Sequence, residues 1–195
     1  MNIINQLIGK QPSAHVLAQF LATLSTGTTP APDVKSYSDV VYFNYSTLGI
    51  SFQFSPRNGY KPATGLRREQ LRDDDLQLEA VDIYNASSAN APAFSTYPCL
   101  PTELHLTGAT PTVITIAKDT TGKEFVGWLG EPTRKGGGTG PSSGSIYIWC
   151  EWSQYGIMVE FGGNDARGPQ AWERGGEAVW RVVTVFVPKS ESTNE

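Results

Sequence analysis

Two histidines, two cysteines and two methionines in 195 residues leave little material for metal or thiol chemistry. Neither His15 nor His105 has a second His, Cys or carboxylate at ligand spacing, so no metal site and no cofactor are expected. Cys99 and Cys150 read as free thiols, and Cys150 falls in an apolar strand pattern that suits a small buried side chain. A basic excess is missing too. Fifteen Lys and Arg against nineteen Asp and Glu give a net charge of −4, which excludes the phosphate-neutralising stripe of a general nucleic-acid binder. Long apolar runs are absent. The opening residues Met1 to Lys10 lack a basic n-region and break their hydrophobics with polar residues, so neither a signal peptide nor a membrane span is expected, and the protein is assigned to the cytoplasm. Without a secretory signal, the Asn-x-Ser matches at Asn44 and Asn85 are not glycosylation acceptors.

What is present is a strand-turn-strand pattern written twice, at Tyr42–Phe54 and again at Trp149–Phe161. The offset that carries Gly49 to Gly156 also carries Tyr42 to Trp149, Tyr45 to Trp152, Ile50 to Ile157 and Phe54 to Phe161. Alternation sends Val41, Phe43, Tyr45, Ile50, Phe52 and Phe54 inward from the first copy. Ile146, Ile148, Cys150, Trp152, Ile157, Val159 and Phe161 do the same in the second.

Around each copy the chain supplies similar elements. A helix capped by Ser13 is predicted through Val16, Leu17, Phe20, Leu21 and Leu24; a second follows the Thr120-Thr121-Gly122-Lys123-Glu124 start signal and stops at Gly130. Leu78–Tyr84 alternates as a third strand, answered by Val183, Val185 and Val187, and the short runs Glu103–Leu106 and Val113–Ile116 read as edge strands. Ser55–Asp75 reads as a solvated excursion whose Asp73-Asp74-Asp75 lacks the alternating ligands and central Gly of a calcium loop. The expected fold is therefore α+β: helix, β-hairpin and strand units, duplicated about an approximate twofold, building antiparallel sheet with helices packed on one side. One domain is expected, with a first half at about 13–85, a connector at 86–101, a second half at about 102–188 and a frayed tail at 189–195.

The stretches Tyr42-Phe43-Asn44-Tyr45-x-x-Leu48-Gly49-Ile50-x-Phe52-x-Phe54 and Leu129-Gly130-Glu131-Pro132 resemble signature stretches of the eukaryotic phagosome assembly factor family. The resemblance implies a non-enzymatic adaptor that acts with partner proteins at autophagic membranes.

Two places could carry chemistry. The Thr133–Gly144 segment reads as a loop in which Arg134 and Lys135 precede Gly136 and Gly137, joining two cations to backbone donors as an anion cradle or an acidic partner's site requires. It lacks the Gly-Lys-Ser/Thr ending of a nucleotide-binding loop. The second place is the outward face of the hairpins, with Tyr42 and Asn44 in the first copy and Trp149, Glu151 and Glu160 in the second. A four-residue turn at Ser153–Gly156 would pair 149 with 160 and 151 with 158, making the two glutamates diagonal neighbours roughly 7–8 Å apart. Two carboxylates beside a Trp suit either a hydrogen-bonding platform for a ligand or an acid and base acting on a sugar. The expected function is an intracellular binding or adaptor module for a protein partner or a small anionic or polar ligand. The alternative is an enzyme using Glu151 and Glu160.

Overall fold

The computed structural model describes residues 3–86, 94–107, 111–138 and 146–188. Alternating apolar residues make sheet the main regular structure of this chain. Eight strands form one antiparallel sheet: β1 (Asp33–Ser36), β2 (Val41–Tyr45), β3 (Ile50–Pro56) and β4 (Leu76–Tyr84) from the first half, and β7 (Arg134–Gly138), β8 (Ile146–Trp152), β9 (Ile157–Phe161) and β10 (Trp180–Phe186) from the second. Their order is β1-β2-β3-β4-β10-β9-β8-β7, so the two sets of four meet along β4 and β10. A separate two-stranded sheet pairs β5 (Thr102–Leu106) with β6 (Thr112–Ile116). The helices are short: α1 (Ile3–Leu7), α2 (His15–Leu24), α3 (Gly122–Leu129) and α4 (Ala171–Arg174).

The two hairpins turn in the same way. Ser46–Leu48 and Ser153–Tyr155 each form one 3-10 turn, closed by Gly49 at φ 61° and Gly156 at φ 65°. Only glycine takes this left-handed conformation without a Cβ penalty. The second turn pairs Trp149 with Glu160 and Glu151 with Met158, as its length dictates.

One face of the sheet is apolar. Val41, Phe43, Tyr45, Ile50, Phe52, Phe54, Val81 and Ile83 bury there with Cys150, Trp152, Ile157, Val159, Phe161, Val183 and Val185, in one continuous cluster. Phe20 of α2 packs on Phe52 at 6.4 Å between ring centroids, and Phe125 of α3 packs on Trp152 and Phe161 at 6.3 and 6.2 Å. Leu104, Leu106, Ile114 and Ile116 of the small sheet join the same cluster. Trp152 and Trp180 bury their rings here because each indole N–H finds a carbonyl, Gly130 at 2.9 Å and Ala117 at 2.8 Å respectively.

Several expectations change. The segment read as a loop from Thr133 is a strand over Arg134–Gly138, and β8 supplies its backbone partners; residues 139–145 lie outside the described residues. Ser13 does not cap α2, whose N-cap is Ala14 with no side-chain bond. Ile146 is 65% exposed, because it stands at the outer end of β8 beyond the apolar cluster. Val187 falls past the end of β10 and is exposed. The runs at 103–106 and 113–116 pair with each other rather than edging the main sheet. The tail from 189 and connector residues 87–93 lie outside the described residues. The described end of the connector packs as its apolar residues require: Phe94 stacks on Tyr84 and Tyr97 is buried.

Candidate functional site: the polar face of the sheet

The pleat that sends apolar side chains to the helices sends the alternate residues to the opposite face. One register row crosses all eight strands there: Asp33, Asn44, Ser51, Asp82, Thr184, Met158, Glu151 and Arg134. Seven of these eight are polar, and Met158 interrupts the row between Thr184 and Glu151. Tyr42, Gln53, Tyr84, Glu160 and Trp149 flank it, all half-buried.

Asp82 lies at the middle of the row and is only 8% exposed. Its Oδ1 accepts a hydrogen bond from the Thr184 hydroxyl at 2.7 Å, and its Oδ2 accepts one from Gln53 Nε2 at 2.8 Å. Burial pushes this carboxyl above the ordinary aspartate value, and the nearby Glu160 charge pushes the same way, against the two hydrogen bonds. The effect spreads to its neighbours. Tyr42 and Tyr84 are both raised, chiefly by burial and next by the Asp82 charge. Glu160 is raised by burial and held down by Arg181, with which it pairs at 3.2 Å. Two carboxyls and two phenols whose proton affinities are shifted together, on one face, mark this cluster as a candidate site.

The expected residues take distinct places. Tyr42 and Asn44 lie on this face, where Asn44 Oδ1 accepts from the buried Ser51 hydroxyl at 2.8 Å. Trp149 stands opposite Glu160, with Glu151 as its diagonal neighbour. The two glutamates nevertheless differ in setting: Glu151 is 6% exposed and takes hydrogen bonds from Ser153 at 2.6 Å and Arg134 at 3.2 Å, whereas Glu160 faces Arg181. Each therefore has its own counter-group.

Arg134 and Lys135 engage different groups. As successive strand residues they point to opposite faces. Arg134 reaches Glu151 and lies 5.9 Å from the Trp149 ring, while Lys135 lies over the Trp172 ring at 5.6 Å. Gly136 is where the Trp149 indole rests, since a Cβ there would come within 2.7 Å of Trp149 Cζ2. Its lack of a side chain seats a ring. The geometry is thus not that of a single anion cradle.

Asp82, Thr184, Tyr84 and Arg181 were not singled out from the sequence. Asp82 carried the one usable signal, an acid between Val81 and Ile83 in the middle of an apolar strand. Arg181 had none, because it sits at the β10 register shift between Trp180 and Val182.

Among the described residues there is no group of three or more His, Cys, Asp or Glu side chains able to hold a metal ion. No described helix is long and apolar enough to cross a membrane. Compared with known proteins, the chain matches no family model, no curated protein and no solved structure.

Proposed function

We propose that the protein is a non-enzymatic binding module whose polar, aromatic-flanked sheet face takes up a protein partner or a small polar ligand. The observation that carries this reading is the Asp82 cluster: a buried carboxyl with a raised proton affinity, set between Tyr42 and Tyr84 and beside the Glu160–Arg181 pair. Acceptors outnumber cations in this patch, so the preferred occupant presents hydrogen-bond donors, as a hydroxyl-rich ligand or a Lys- or Arg-bearing protein surface does. Tyr42 and Trp149 supply aromatic area beside the polar strip, whereas the Tyr84 ring is already stacked on Phe94. An adaptor role inside the cell, as the resemblance to the phagosome assembly factor family implies, is compatible with such a face.

The same reading treats the two four-stranded sets as copies of one unit. In support, Asp82 and Thr184 face each other in the β4–β10 pairing, and Gly49 and Gly156 accept matching backbone bonds from Tyr84 and Phe186. The rival enzymatic reading draws on Glu160, whose raised proton affinity suits a general acid. Its weakness is Glu151, which is buried and already engaged by Arg134 and Ser153.

The test is to purify the full chain natively, identify bound species by native mass spectrometry and locate them by NMR shift perturbation. Perturbations at Tyr42, Tyr84, Trp149 and Glu160, abolished by Trp149→Ala with Glu160→Gln, are expected. Perturbations confined to the helix-covered side, or binding that survives the double variant, overturn the reading.

A further inference from the structure

On the opposite side of the sheet, where α3 and α4 meet β7 and β8, a cavity of about 330 Å³ opens. Its apolar wall is Val126, Ile148, Cys150, Phe161 and Trp172. Lys123, Lys135 and Glu131 are its charged groups. Lys123 is already paired with Glu177 at 2.9 Å, but Lys135 has no carboxylate within 4 Å among the described residues. An apolar cavity of this size with a cation that lies over the Trp172 ring and has no carboxylate partner among the described residues is a ligand site in form.

The first hairpin indicates what shape of ligand belongs there. At the offset that carries Gly49 to Gly156, Cys150 answers Phe43 and Phe161 answers Phe54. In the first half the Phe43 ring lies 4.9 Å from the Phe54 ring, and the Arg68 guanidinium lies 5.0 Å over Phe43. The second half retains the Phe161 floor and has Lys135 as a cation, but replaces the intervening ring by a cysteine side chain. No ring stands at position 150, and the cavity lies beside it, with the Trp172 ring under Lys135 at 5.6 Å.

We propose that this cavity binds a compact aromatic carboxylate, with its ring beside Cys150 over Phe161 and its carboxylate facing Lys135. Cys150 acts only as wall: burial pushes its thiol up to about 11, so it is protonated at neutral pH and is no nucleophile. The anionic end is what Lys135 selects, because an ammonium beside apolar surface gains from a carboxylate partner that water would otherwise hold. The site is independent of the polar sheet face.

Calorimetric titration of the full chain with phenylpropionate is expected to saturate. Phenylpropanol, which has the same ring without the charge, should bind at least about tenfold more weakly. Lys135→Gln should bring the carboxylate down to the level of the alcohol. Cys150→Phe, which installs the ring that Phe43 provides in the first hairpin, should abolish binding of both. Because Cys150 is buried, Val126→Trp at a more exposed position of the wall serves as a second blocking variant, with near-ultraviolet circular dichroism to check the fold. Glu160→Gln should leave binding unchanged. The proposal is overturned by absence of saturation up to roughly 10 mM, by equal binding of acid and alcohol, or by binding that survives Val126→Trp in a folded variant.

Discussion

Thr184 donates its hydroxyl to Asp82 across the seam between β10 and β4, at 2.7 Å, joining residues 102 positions apart. The bond ties the two four-stranded sets together on their polar side, in a place where water is largely excluded. Thr184→Val keeps the side-chain shape but leaves Asp82 Oδ1 without this donor. Stranding a buried acceptor costs about 1–3 kcal/mol, so chemical denaturation should show a loss of that size. Thr184→Ser should recover most of it, and a Val variant as stable as the parent would remove the bond from the account of stability.

The protonation of Asp82 and Glu160 sets a pH dependence of definite sign. Both carboxyls are raised above their ordinary values of 3.8 and 4.5, so the folded chain holds these protons more tightly than the unfolded chain. Their contribution to stability is therefore fully present below the ordinary values and is lost as pH rises through the folded ones. Asp82→Asn removes one such loss. The unfolding free energy of the variant minus that of the parent should grow as pH rises above about 4. Parallel curves, or a difference that shrinks with rising pH, would contradict the burial of this charge.

Gly49 and Gly156 make a matched pair of backbone tests. Each has positive φ, and an added Cβ would overlap the Ser95 carbonyl oxygen at the first site and the Phe186 carbonyl oxygen at the second. Left-handed strain alone costs about 1–2 kcal/mol, and these overlaps add to it. Gly59, also at positive φ, has open space where the Cβ would go. Thermal unfolding should therefore rank Gly49→Ala and Gly156→Ala as clearly more destabilising than Gly59→Ala.

The two thiols should behave differently toward a water-soluble disulfide reagent. Cys99 is exposed and Cys150 is buried, and they are not joined. One thiol should react rapidly in the native protein at neutral pH. The second should react only on unfolding, since burial keeps the Cys150 thiol protonated up to about pH 11. Two fast thiols would mean that the β8 core position opens readily.

Much of the fold was legible because local signals and tertiary demand agree. The hairpins announce themselves through alternation around Gly49 and Gly156, and α3 through its capping box, in which Glu124 accepts from both the Thr121 backbone N–H and its hydroxyl at 2.8 Å. β7 was not legible. Arg-Lys-Gly-Gly-Gly has a loop's composition, and its strand conformation depends on pairing with β8 and on the Trp149 ring lying against Gly136, neither of which is a local property. The outward faces of the hairpins were legible as a surface, with Tyr42, Trp149 and Glu160 in place. The centre of that surface was not, because Asp82 takes its meaning from Thr184 and Gln53, which only strand order brings beside it.

The outermost strands also decide how far the sheet can extend. At one end, Ser36 of β1 accepts and donates hydrogen bonds with Leu66 and Ala63, so a passing loop seals that margin. At the other, the register of β7 shifts between Gly136 and Gly138, and Gly137 and Gly138 take φ of 88° and 93°. A strand kinked in this way is a poor template for lateral addition. Edge-to-edge addition of a neighbour's strand is thereby disfavoured at Ser36 and at the Gly136–Gly138 kink.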